Sequence, residues 1–174
     1  MEAQLALMPH VMFGGLAHEQ ALRLARRLAA LMRGDLTRVF FSDSGSVAVE
    51  VAIKMATQYW INRGQRRKSQ FIAFKGSYHG DTTGAMALSD PDAGMHAPFS
   101  GLLPEHHIAE LPEREPGAAA LEKLLAGSSG RIAGIIIEPL VQGAGGMKFH
   151  DTAVLQCLRM LADKYDTLLI FDEI

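Results

Sequence analysis

Ile132-Ala133-Gly134-Ile135-Ile136-Ile137-Glu138 is an unbroken apolar run that stops at a carboxylate. A half-buried strand alternates apolar and polar residues, whereas a strand covered on both faces does not need to. The run therefore predicts a central strand of a sheet with helices on both sides. Thr167-Leu168-Leu169-Ile170-Phe171-Asp172-Glu173 repeats the pattern. Between them, residues 151–165 carry Val154, Leu158 and Leu161 at helical spacing. Strand, helix, strand in that order points to a mostly parallel sheet with helices on both sides.

Working back toward the N-terminus, the alternation continues. Helical spacing runs over residues 117–126, and Gln70-Phe71-Ile72-Ala73-Phe74 reads as a strand. A helix is predicted over 46–62, apolar except for Glu50, Lys54 and Gln58, with Glu50 placed for an ion pair to Lys54. Residues 37–42 are β-branched and aromatic, which predicts another strand. Residues 17–33 predict an amphipathic helix with Leu24, Leu28 and Leu31 on one face and Gly34 as its stop. Residues 89–117 hold five prolines and read as an irregular excursion. The expected class is α/β: three layers, a mostly parallel sheet between helices.

Composition narrows the function. Of the 174 residues, 48% are hydrophobic and 21% charged, and the net charge is −2, so no basic field attracts nucleic acid or acidic membranes. Arg26-Arg27 and Arg66-Arg67-Lys68 read as solvated charge. Cys157 is the single cysteine, which leaves no internal disulfide. His106-His107 lack a third ligand at metal spacing, so no metal is expected. Without a spanning apolar run or a basic leader, the chain reads as cytoplasmic.

Parallel sheets bind ligands at the carboxyl ends of their strands. Asp43-Ser44-Gly45-Ser46 precedes the 46–62 helix, and it reads either as a phosphate cradle or as a Ser44 helix cap. Gly76-Ser77-Tyr78-His79-Gly80-Asp81 follows the 70–74 strand. There Tyr78 could lie flat on a planar ligand or be a half-packed turn residue, and His79 could serve acid–base chemistry or a structural hydrogen bond. Glu138-Pro139 leads into Gln142-Gly143-Ala144-Gly145-Gly146, a loop open to ligand approach or to plain turn chemistry. Asp172, behind four apolar residues, needs a cationic or hydrogen-bonding partner. Such a strand end also suits a Mg²⁺-organising acid of an ATPase, but no G-x-x-x-x-G-K-[ST] run lies upstream. One ligand unites the strand ends: pyridoxal 5'-phosphate, with its phosphate at Gly45 and Ser46, its ring against Tyr78 and its ring nitrogen at Asp172.

Longer blocks carry a resemblance. Asp43-Ser44-Gly45-Ser46-Val47-Ala48-Val49-Glu50-Val51-Ala52, with Lys54 beyond it, is the first, followed by Tyr78-His79-Gly80-Asp81 and by Asp90-Pro91 with Met95-His96. Glu138-Pro139-Leu140-Val141-Gln142-Gly143-Ala144-Gly145-Gly146-Met147, the terminal Asp172-Glu173-Ile174 and His10-Val11-Met12-Phe13-Gly14-Gly15 complete the set. Together they resemble the class III, fold-type I aminotransferases, and within them the branch that serves biotin synthesis. Val47 stands where many relatives place Glu, and the Gly143-Ala144 region lacks the acid of glutamate-using relatives; both departures fit that branch.

The resemblance implies a pyridoxal-phosphate aminotransferase that moves the amino group of S-adenosylmethionine to 8-amino-7-oxononanoate and works as a homodimer. It implies that Gly45 and Ser46 hold the phosphate, Tyr78 stacks on the ring, Asp172 pairs with the ring nitrogen, and Asp81 positions Tyr78 or substrate. The Schiff-base lysine of the family matches neither Lys54 nor Lys75 and is expected beyond Ile174. Residues 1–174 then correspond to part of the large, cofactor-binding domain. The N-terminal segment, the lysine-bearing part and the C-terminal small domain would lie outside, and the fragment alone would be inactive. A transaminase for ω-amino acids or diamines, and a non-catalytic binding module, are the alternatives.

Overall fold

A computed structural model describes every residue except Arg33, Ala93, Gly94, Met95 and Ser129; the Met95 portion of the Met95-His96 pair therefore lies outside the described residues. The chain divides into two compact units, Met1–Phe41 and Ser42–Ile174.

The first unit holds α1 (Glu2–Leu7) and α2 (Glu19–Leu31). His18 caps α2, its Nδ1 accepting the Ala21 N–H at 3.2 Å. Phe13 meets the rings of His18 and Phe41 at centroid distances of 6.0 and 6.1 Å. Helix α2 is amphipathic as expected, yet none of its residues is buried, and Leu24 and Leu31 are exposed. Residues 37–42 form no strand, contrary to their composition. β propensity describes fitness for a pleated, half-buried surface; among the described residues nothing pairs with this stretch, and Phe40 is exposed.

The second unit is the α/β layer structure. Its elements are α3 (Gly45–Asn62), β1 (Gln70–Phe74), α4 (Thr83–Ala87), a 3₁₀ turn (Ala97–Leu102) and β2 (His107–Ala109). They continue with α5 (Gly117–Gly127), β3 (Ile132–Ile137), β4 (Val141–Gln142), β5 (Lys148–Phe149), α6 (Thr152–Lys164) and β6 (Leu168–Phe171). The main sheet has the order β2-β1-β3-β6, with every pairing parallel. β2 corrects the reading of 89–117 as wholly irregular. At three residues it is too short to show a period, and it exists because β1 offers it an edge. β4 and β5 form a small antiparallel hairpin around the glycine-rich loop.

The apolar run of β3 is explained by two cores, one on each face. Ile135 and Ile137 pack with Leu121, Leu125, Val154, Leu158 and Leu161 from α5 and α6. Ala133 and Ile136 pack with Val49, Ala56 and Trp60 from α3. Trp60 ties helix to sheet, its indole N–H donating to the Ala133 carbonyl at 2.7 Å.

Two charge assignments change. Lys68, read above as solvated, is 4% exposed. Its ammonium lies 3.4 Å from the Trp60 ring centroid and bonds the carbonyl and carboxylate of Asp166. A desolvated cation needs such partners, and a charge run in sequence carries no sign of them. Glu50 forms no ion pair with Lys54 among the described residues. It accepts the Gly84 N–H at 2.5 Å, in the first turn of α4. A charge-assisted bond to a free helix amide outweighs an exposed i,i+4 pair, worth about 0.2–0.5 kcal/mol. Among the described residues no helix is long and apolar enough to cross a membrane.

Candidate active site

Parallel strands deliver their carboxyl ends to one edge, so the segments after β1, β3 and β6 meet there. With the start of α3 they line a cleft of about 310 Å³ that includes Ser44, Gly45, Ser46, Tyr78, Glu138, Gly143 and Asp172. Ser46 and Asp172, expected at opposite ends of one small molecule, face the same cavity.

The first turn of α3 forms one wall of the cleft. Ser44 is the cap, its Oγ accepting the Val47 N–H at 3.2 Å, and the N–H groups of Gly45 and Ser46 have no intrahelical acceptor. Those amides and the helix dipole favour an anion. A Cβ at Gly45 would lie 2.7 Å from the Ile174 side chain, so the turn has no room for one.

The loop after β1 is held from several sides. The Asp81 N–H donates to Ser46 Oγ at 3.0 Å, and Gly80 passes so close that a Cβ would lie 2.9 Å from Ser46 Cα. Gly80 also has φ of +120°, which side-chain-bearing residues avoid. Gly80→Ala therefore forces either the loop or the start of α3 to move, at about 1–3 kcal/mol for the backbone strain alone. A chemical denaturation midpoint indistinguishable from wild type would contradict this.

On the buried side, the His79 N–H donates to Ser89 Oγ at 3.0 Å, and the Gly76 N–H to the Asp90 carboxylate at 2.7 Å. Glu138 bridges two loops, accepting from the Tyr78 N–H at 3.3 Å and the Gly143 N–H at 3.1 Å. Gly145 lies against the Gly76 backbone, leaving no space for a side chain between them.

Asp172 lines the same cleft, its side chain 6% exposed. The partner that its burial demanded is His79, whose Nδ1 lies 2.6 Å from Oδ2. His79 Nε2, on the far side of the ring, is buried without a partner among the described residues. Of the two roles open to His79, the structure realises the structural hydrogen bond, and so the imidazole orients the carboxylate.

Tyr78 and Asp81 stand near each other at the cleft. The Tyr78 ring stacks on His96 at 5.8 Å with a 23° interplanar angle. His96 Nε2 lies 3.0 Å from Asp81 Oδ1. That hydrogen bond, with a second from Tyr78, holds the Asp81 carboxyl below its ordinary range, and Asp81 in turn pushes the Tyr78 phenol above its own. Of the residues singled out in the sequence, Gly45, Ser46, Tyr78 and Asp172 line this one cleft, and Asp81 adjoins it through its N–H to Ser46 Oγ. Sequence reasoning did not find the roles of Ser89, Asp90 and His96, because a lone Ser, Asp or His before a proline-rich stretch has no periodic signal.

Known proteins resemble this chain along its whole length. The aminotransferase class-III family matches residues 1–174. Adenosylmethionine-8-amino-7-oxononanoate aminotransferase of Mycobacterium leprae is 48% identical over 177 residues, which cover 100% of this chain and 41% of that protein. The protein of the same description from Corynebacterium glutamicum is 44% identical over 99% of the chain and 42% of its own length. The chain thus spans about two fifths of the relatives it matches. The crystal structure of adenosylmethionine-8-amino-7-oxononanoate aminotransferase from Methanocaldococcus jannaschii superposes with a TM-score of 0.93 at 29% identity, over 99% of this chain and 39% of that one. An amine transaminase from an uncultivated Pseudomonas species, in its PLP-bound form, gives 0.87 at 33% identity, over 99% and 42%.

Proposed function

The chain belongs to the class-III aminotransferase family, and from that premise we propose that it forms part of the cofactor-binding domain of a pyridoxal-phosphate enzyme that moves an amino group from S-adenosylmethionine to 8-amino-7-oxononanoate. The carrying observation is that Ser46 and Asp172 line one cleft, which brings together an anion-favouring helix start and an imidazole-held carboxylate. The choice of substrates rests on relatives of that description at up to 48% identity across the chain. The longer enzyme works as a homodimer whose Schiff-base lysine lies outside residues 1–174.

The residues fit pyridoxal phosphate, since Gly45 leaves its turn free of a Cβ and Asp172 is a buried carboxylate with a fixed orientation. When bound, that cofactor supplies an electron sink whose strength depends on a charged ring nitrogen. Asp172 places negative charge where that nitrogen is held, and His79 keeps the carboxylate aimed. Gly45 and Ser46 receive the phosphate through backbone amides and the Ser46 hydroxyl. Tyr78 offers an aromatic face, and Glu138 fixes the two loops that enclose it.

The test uses the full-length protein carrying this chain. It is expected to bind pyridoxal phosphate with a visible absorption band and to aminate 8-amino-7-oxononanoate with S-adenosylmethionine as donor. Activity with ω-amino acids or diamines and none with S-adenosylmethionine would overturn the substrate reading while keeping the chemistry. Failure to bind the cofactor would overturn both.

A further inference from the structure

We propose that His96 is a positioning residue that locks the ring of Tyr78 and the carboxylate of Asp81 into one unit at the cleft; the proposal rests on the aminotransferase reading above. His96 is 3% exposed, whereas the Asp81 side chain is 65% exposed. An exposed carboxylate ordinarily samples several rotamers, and a half-buried tyrosine ring can swing about its two side-chain torsions. Here one imidazole restrains both. Its Nε2 meets Asp81 Oδ1 at 3.0 Å, and its face lies nearly parallel to the Tyr78 ring.

Two further contacts make the unit rigid. The Asp81 N–H is tied to Ser46 Oγ and the Tyr78 N–H to Glu138, so both backbones are fixed independently of His96. The side chains of the two residues also share a hydrogen bond from the Tyr78 hydroxyl to the Asp81 carboxylate, and His96 is the one group that touches both. The position is not one that packing alone explains. The His96 Nδ1 is buried without a partner among the described residues, a penalty that a phenylalanine there would not carry. The Nε2 contact to Asp81 is the return for burying an imidazole.

The two contacts can be separated by substitution in the cofactor-loaded, full-length enzyme. His96→Phe keeps a flat ring against Tyr78 and loses the donor to Asp81. It is expected to raise KM for the amino donor about tenfold with the cofactor dissociation constant unchanged, and to add nothing in an Asp81→Asn background. His96→Gln keeps an amide donor and loses the ring. It is expected to alter the visible circular dichroism of the bound cofactor as Tyr78→Ala does, and to leave KM within about twofold. Additive effects of His96→Phe and Asp81→Asn, or an unchanged dichroism in His96→Gln, would overturn the proposal. If His96→Phe fails to fold, the dichroism of His96→Gln decides alone; collapse of both variants would make His96 a packing residue and overturn it too. Wild-type enzyme that binds cofactor while these couplings are absent sinks only this inference. Wild-type enzyme that binds none sinks the functional reading beneath it.

Discussion

Replacing Asp172 with asparagine in the full-length enzyme is expected to lower kcat by about 10³-fold or more, because a preorganised charge aimed at the reacting system is lost at nearly unchanged shape. The asparagine side chain would retain a carbonyl oxygen for the His79 Nδ1–H, so the 2.6 Å contact loses its charge rather than its geometry. Cofactor affinity should change far less, because the phosphate site proposed above uses Gly45 and Ser46 and not Asp172. The split between a collapsed kcat and a modestly altered cofactor affinity is what steady-state kinetics and a cofactor titration would read. An Asp172→Asn enzyme retaining a tenth or more of wild-type kcat would show that the carboxylate does not serve the ring nitrogen.

The largest effect on stability is expected at Trp60. Its side chain is fully buried, bridges α3 to β3 through the bond to Ala133, and carries the Lys68 ammonium on its ring. Trp60→Ala should cost about 3–5 kcal/mol from cavity formation alone. It also removes the ring from beneath a buried cation, so Lys68 keeps only Asp166. Trp60→Phe retains most of the apolar volume but removes the indole bond to the Ala133 carbonyl, and about 0.5–1.5 kcal/mol is expected there. Urea denaturation of both variants checks the ordering. Equal losses in the two would mean that the hydrogen bond, and not the ring volume, holds helix to sheet.

Some features were legible because they are local. A strand covered on both faces must be apolar throughout, and Ile132-Ala133-Gly134-Ile135-Ile136-Ile137 is. Helices α3, α5 and α6 follow from spacing, with Ser44 capping α3 as one reading of its sequence had it. The site residues were legible for a topological reason: carboxyl ends of parallel strands share an edge, so Tyr78, Glu138 and Asp172 had to meet once the strands were known.

Other features depend on partners far along the chain. Residues 37–42 have the composition of a strand and form none, since a ladder needs a neighbour's open edge, while the three residues of β2 form one because β1 supplies it. Glu50 leaves its helical neighbour Lys54 for the Gly84 amide, and Lys68 leaves solvent for Trp60 and Asp166.

By itself the sequence determined the layer order, the edge at which the strand-end side chains gather and the kinds of group standing there, because periodicity and strand polarity act over neighbouring residues. Only the tertiary structure decided which partner each polar side chain takes: His79 for Asp172, His96 for Asp81, Ser89 for the His79 amide. Those choices turn on burial and on distances across 10 to 93 positions of chain, and a buried polar group takes whichever partner folding brings within reach.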